Sequence, residues 1–158
     1  MTRTIFRNLE GEWVIKRNLG AVGNAQGKAQ FVKSKDNDHV LCYTEKLDVM
    51  LVRGGIQSGA HQEYRFVYDE ARDSIEKYTS SEELMYKLNI SAGCASGAYQ
   101  CKQDHYIAQY NFLNENHFTL TYSVKGPDKN YVITTEFERI SDYVQDASGE
   151  SSETVDFD

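Results

Sequence analysis

From Gly11 to Ile140 apolar and polar residues alternate in short runs separated by turn-forming clusters, with little sustained helical period, which is the pattern of half-buried β-strands. In the last run Tyr131, Ile133, Thr135 and Phe137 oppose Val132, Thr134, Glu136 and Glu138, and in the run before it Phe118, Leu120, Tyr122 and Val124 oppose Thr119, Thr121, Ser123 and Lys125. The pattern predicts strands at Glu12–Leu19, Lys28–Ser34, His39–Lys46, Leu47–Arg53, Ala60–Asp69, Ser74–Ser80, Gly97–Gln103, Asp104–Leu113, Phe118–Lys125 and Tyr131–Ile140. Turn chemistry falls between them: "KDND" before His39, "DEARD" before Ser74, "NENH" before Phe118 and "GPDKN" before Tyr131. Ser80–Ile90 is ambiguous, because Ser81 suits a helix cap while Leu84, Tyr86 and Leu88 alternate as in a strand. The glycines of "LGAVGNAQGKAQF" read as a flexible loop at a barrel mouth rather than a phosphate loop, since they precede no helix. A sequential antiparallel meander of about eight to ten strands closes into a barrel that either fills with side chains or holds one small ligand.

The same parity assigns faces within "YQCKQDHYIAQY" (Tyr99–Tyr110): Asp104, Tyr106, Ala108, Tyr110 and Phe112 turn inward, His105 and Ile107 outward. Tyr99 and Cys101 join that face, near the rim, if Lys102–Gln103 forms a turn or bulge.

Composition narrows the function classes. The 158 residues suit one domain, and the formal charge of −7 is concentrated in residues 141–158, which hold six acidic residues and no Lys or Arg. This acidic tail reads as disordered, leaving residues 1–140 as the barrel domain with a near-neutral charge and no basic stripe for nucleic acid. No apolar run approaches the ~18 residues of a membrane span, and the opening "MTRTIFRNLEGEW" lacks a secretory signal, so a cytoplasmic location is expected. Cys42, Cys94 and Cys101 are an odd set, best read as reduced thiols, although a Cys94–Cys101 pair is conceivable.

Two features resemble the lipocalin and fatty-acid-binding superfamily, the calycins. "GEW" (Gly11–Trp13) opens the first strand after a short N-terminal helical segment, and Arg139 lies near the end of the last. The resemblance implies an up-and-down barrel in which the arginine packs over the tryptophan and ties down the N-terminal segment. The pieces "LEGEWVIKR", "GKAQF", "YTE", "YRFVY", "CKQDHY" and "VKGPDKNYVITTEFER", spanning most of Leu9 to Arg139, are similar to an uncharacterised family of small lipocalin-like proteins known only as a domain of unknown function. That family's pattern has a histidine two residues before the cysteine, where this chain has Tyr99. It implies the fold and carries no activity.

If Trp13 faces inward, so do Ile15 and Arg17, and an interior guanidinium needs an acceptor or an anionic ligand. Glu45 and Asp104 are the expected partners; a structural ion pair, or an Arg17 that reaches out to the barrel mouth, is the competing reading. Tyr43, Tyr64, Tyr68, Tyr106, Tyr110 and Tyr122, if inward, give a cavity flat apolar walls and scattered hydroxyls. The expected function is binding of a small amphipathic or aromatic molecule by Arg17, Tyr43, Glu45, Tyr64, Tyr99, Cys101, Asp104, Tyr106, Tyr110 and Tyr122. The alternatives are an isomerase- or lyase-type enzyme with Asp104 or Glu45 as acid/base, and an interaction module acting through the tail. No metal or cofactor is expected: the four histidines are dispersed, and neither a zinc site on Cys101 and Asp104 nor haem ligation has a motif behind it.

Overall fold

The computed structural model describes residues 1–140 as one antiparallel barrel with a short helix at one end. Helix α1 (Thr2–Asn8) precedes β1 (Gly11–Asn18), β2 (Gly23–Lys33), β3 (Val40–Leu51), β4 (Gly55–Asp69) and β5 (Ser74–Thr79). Then follow β6 (Leu84–Leu88), β7 (Cys94–Cys101), β8 (Asp104–Asn114), β9 (His117–Lys125) and β10 (Asn130–Arg139). The ten strands run in the order β6-β5-β4-β3-β2-β1-β10-β9-β8-β7, so every hairpin is sequential and the chain ends meet where β1 pairs with β10. The acidic tail lies outside the described residues.

The remaining seam falls between β6 and β7, which share no ladder. Tyr86 of β6 closes it with its side chain: its ring packs against Tyr99 at 6.0 Å and Tyr110 at 6.2 Å. Gly97 permits this approach, since a Cβ there would stand 2.6 Å from the Tyr86 ring.

The structure departs from two local expectations and resolves one open reading. The two strands expected across His39–Arg53 are the single strand β3, because "YTEKLDVML" contains no cluster of turn formers, only the lone Asp48; the break is only a register shift between Leu47 and Val49. The ambiguous segment contains a strand, β6, with Tyr86 and Leu88 buried and Leu84 exposed. The glycine-rich stretch is mostly strand: β2 begins at Gly23, after a short 3-10 turn at Gly20–Val22. Gly27 is there for close approach of backbones, as a Cβ would lie 2.1 Å from the Lys46 carbonyl oxygen.

Trp13 faces Arg139 across the β1–β10 ladder and is 1 % exposed, its indole donating from Nε1 to the Leu9 carbonyl at 2.9 Å. The Arg139 guanidinium lies 4.4 Å from the indole ring centre and donates to the carbonyls of Asn8, Glu10 and Glu115 and to Asn116 Oδ1. It thereby joins the N-terminal segment to the β8–β9 turn. Phe6 of α1 packs against Tyr68 at 5.7 Å, so this end of the barrel is stoppered by apolar side chains.

Candidate functional site

Strand parity carries Arg17 inward two positions beyond Ile15, on the same face as Trp13. Its partner comes from β3, where Tyr43, Glu45 and Leu47 are buried while Cys42 and Lys46 are exposed. Arg17 Nη1 and Nη2 donate to Glu45 Oε2 and Oε1 at 2.8 and 2.9 Å, Nε donates to Thr135 Oγ1 at 2.8 Å, and the Tyr43 hydroxyl donates to Glu45 Oε1 at 2.6 Å. Both Glu45 oxygens and three of the five Arg17 N–H groups are engaged, and such pairing is what two charges require in a low-dielectric interior. Burial alone would raise the Glu45 carboxyl, but Arg17's hydrogen bonds and charge, with the Tyr43 hydroxyl, outweigh it and hold the group below its ordinary range. Arg17 is the mirror case: burial opposes its charge, and Glu45 more than restores it.

Above this pair the wall is aromatic. A cavity of about 170 Å³ is lined by Arg17, Tyr43, Glu45, Tyr64, Tyr99, Tyr106, Tyr110 and Tyr122, eight of the ten residues the sequence nominated. Tyr99 and Tyr106 stack at 4.6 Å and 9°, directly opposite each other on β7 and β8, because Lys102 adopts φ 57° and turns the chain within two residues. The hydroxyls of Tyr110 and Tyr122 both bond that of Tyr86, at 2.7 and 2.6 Å. Burial pushes Tyr43, Tyr64, Tyr86, Tyr110 and Tyr122 up and raises Tyr99 to about 12, so these phenols are neutral donors near neutral pH.

Asp104 and Cys101 lie outside the cavity lining. Parity is right for Asp104, but it pairs with Cys101 at the last rung of the β7–β8 hairpin, at the rim. Its carboxylate accepts from Lys129 Nζ at 2.8 Å in the neighbouring turn and sits where a Cβ on Gly126 would go. Arg17's partner is therefore Glu45 alone of the two expected. Cys101 is exposed, as are Cys42 and Cys94, and all three are free thiols. Tyr68 is buried at the stoppered end, bonded to Asp73 at 2.6 Å. Among the described residues no group of three His, Cys, Asp or Glu side chains converges as a metal site would require.

The residue the sequence reading missed is Lys77, 4 % exposed and part of the cavity wall. It shares the parity of Ile75 in "SIEKYTS", and that was the available signal. Burial lowers its ammonium to about 7, against a partial opposing effect of Glu45. The unfolded chain keeps this proton up to about pH 10.5 and the fold only to about 7, so between these values the unfolded state binds more protons and stability rises with pH. Above pH ~10 the raised tyrosines reverse the slope, because the unfolded phenols ionise first. Urea denaturation should therefore show stability increasing by on the order of 3 kcal/mol from about pH 7 to about pH 9.5, with Lys77→Met flattening the profile. A flat wild-type profile would mean that the amine is hydrated.

The pattern defining the family of unknown function DUF6314 matches residues 9–139. No curated protein matches the sequence. Among solved structures, the S-type phycobiliprotein lyase CPES from Guillardia theta superposes with a TM-score of 0.65 at 7 % identity, covering 88 % of this chain and 92 % of that one. The redesigned β-barrel mFAP1 bound to DFHBI gives a TM-score of 0.44 at 11 % identity, covering 85 % and 98 %. The first of these likenesses shows a shared lipocalin-like barrel. The match from Leu9 to Arg139 takes in the buried Trp13, the Arg139 clamp and every strand between them, and the chain belongs to the DUF6314 family.

Proposed function

We propose that this barrel binds one small amphipathic or aromatic molecule in its cavity. The observation that carries the reading is the partly open pocket in the barrel interior: a space of about 170 Å³ with tyrosine and phenylalanine walls and a buried Arg17–Glu45 pair and Lys77 among its polar groups. A dry cavity of ~150 Å³ is enough to take up benzene, so the volume suits a single ring with a short substituent. Flat walls supply the contact area, and the neutral tyrosine hydroxyls offer hydrogen bonds to one polar end. A lipocalin-like barrel is a natural scaffold for such a site, although fold by itself does not assign a ligand. The acid/base alternative has less support, since both Glu45 oxygens are occupied by Arg17 and Tyr43 and Asp104 lies at the rim.

Titration of the full chain with benzyl alcohol, followed by calorimetry and native mass spectrometry, should give one bound molecule per chain. Ile133→Trp, which fills the cavity from its half-buried wall, should weaken binding at least ~tenfold. Asp104→Asn should bind as the wild type does and melt at nearly the same temperature. Equal affinity in wild type and Ile133→Trp would place the ligand elsewhere and defeat the proposal.

A further inference from the structure

Lys77 is the cation in the cavity wall that has no carboxylate of its own. Arg17 takes both oxygens of Glu45, and among the described residues no carboxylate lies within 4.0 Å of Lys77 Nζ. Among the described residues the single hydrogen bond of Nζ is donated to the Tyr122 hydroxyl at 3.0 Å. Four rings surround it: Tyr64 at 4.1 Å, Phe66 at 5.5 Å, and Tyr86 and Tyr122 at 5.6 Å each. An ammonium here has three N–H groups and one oxygen acceptor, whereas a neutral amine has a lone pair free for the cavity. A flexible, desolvated amine among apolar walls is the arrangement in which lysine acts as a nucleophile toward carbonyl groups.

We propose that Lys77 is a carbonyl-capturing amine, and that the cavity takes an aromatic aldehyde or a similarly small ketone and holds it as an imine on Nζ. This rests on the reading that the cavity binds small aromatic molecules, and it names their reactive group. The Nζ lone pair attacks the carbonyl carbon, forming the C–N bond as the C=O π-bond opens. The oxygen gains a proton and the nitrogen loses one, giving a carbinolamine. Loss of water then leaves the C=N bond, so amine plus carbonyl gives imine plus water with no change in oxidation state. Tyr122 is placed to carry the proton between the two atoms, and its hydroxyl continues through Tyr86 to Tyr110 as a chain of exchangeable hydrogens.

The surroundings favour the reactive form. Burial brings the amine to about 7, so a large share is unprotonated at neutral pH. The charged groups whose fields reach it are Glu45, which opposes this, and Arg17, which reinforces it; the phenols of Tyr64, Tyr86 and Tyr122 face it as neutral groups.

The test is reductive trapping on the full-length protein. Equimolar benzaldehyde and cyanoborohydride at about pH 7.5 should place a benzyl group on Lys77, at least ~tenfold in excess over exposed lysines such as Lys28, Lys33 and Lys46, as read by peptide mass spectrometry. The mapping on wild-type protein does not depend on any variant folding. Lys77→Met should lose the adduct, and Tyr122→Phe should slow its formation more than ~tenfold. Benzyl alcohol, which fits the same space but forms no imine, separates the two claims. If the alcohol binds and trapping leaves Lys77 unmodified, or spreads over exposed lysines, the imine proposal is overturned and the cavity reading stands. If neither compound binds, both fall.

Discussion

Glu45→Gln should destabilise the barrel by about 3–5 kcal/mol, the cost of leaving a buried guanidinium without its counter-charge. The substitution keeps the side-chain shape, so the loss reports charge rather than packing. Arg17 then retains only neutral acceptors, the amide oxygen at position 45 and the Thr135 hydroxyl, and faces a new NH2 donor in place of one carboxylate oxygen, which cannot offset the desolvation of a full charge. Lys77 also loses the anion that favoured its protonated form, so the folded protein should hold that proton less tightly still. Arg17→Met should cost a similar amount, by stranding Glu45 with only the Tyr43 hydroxyl. The double variant Arg17→Met/Glu45→Gln should be less harmful than the sum of the singles, with a coupling of about 2 kcal/mol, because neither charge remains to be left uncompensated. Urea denaturation near pH 7.5 measures all three. Strict additivity would show that the pair is solvated and that the cavity floor is wet.

Trp13→Ala should cost a similar ~3–5 kcal/mol through a different cause, cavity creation at the stoppered end. The indole is 1 % exposed and meets Phe118 edge-on at 5.0 Å; Phe118 in turn stacks on Phe137 at 4.3 Å. Its loss also removes the Leu9 hydrogen bond and the surface on which Arg139 lies. Trp13→Phe keeps much of the packing and should forfeit only about 1–2 kcal/mol, mainly the hydrogen bond and the partial void. Arg139→Lys is informative beside it, because an ammonium cannot reproduce the planar fork that spans the carbonyls of Asn8, Glu10 and Glu115. Since Phe118 and Phe137 both line the cavity, Trp13→Ala should also loosen its floor and weaken binding of a small aromatic ligand. Calorimetric melting of the three variants orders them; a Trp13→Ala protein as stable as Trp13→Phe would mean that the site collapses around the missing ring.

Local pattern was enough for most of the frame. Alternation placed Trp13, Ile15 and Arg17 on one face and Tyr106, Ala108 and Tyr110 on another, and the structure has each set inward. Turn-forming clusters marked the hairpins after β2, β4, β8 and β9 because Gly, Asn, Asp and Pro act on their own backbone. Where no cluster of such residues intervened, as within β3 with its lone Asp48, a strand boundary had too weak a local cause and none formed.

What the sequence determined by itself is therefore the facing of side chains, since a strand's period of two is set by the backbone and holds whatever lies next to it. Height within the barrel is another matter, because it depends on how ten strands are staggered and tilted against one another. Asp104 and Tyr110 share a parity, yet one accepts a hydrogen bond from Lys129 at the rim and the other is buried beside Tyr86. Arg17 was legibly an interior cation; that Glu45 rather than Asp104 would meet it was decided by the register of β1, β2 and β3, which sets Ala25 and Ala29 between them without obstruction. Lys77 follows the same logic. Its inward parity was readable beside Ile75, but its setting among four rings, with no carboxylate of the described residues within 4.0 Å, comes from side chains of β4, β6 and β9 that only barrel closure assembles.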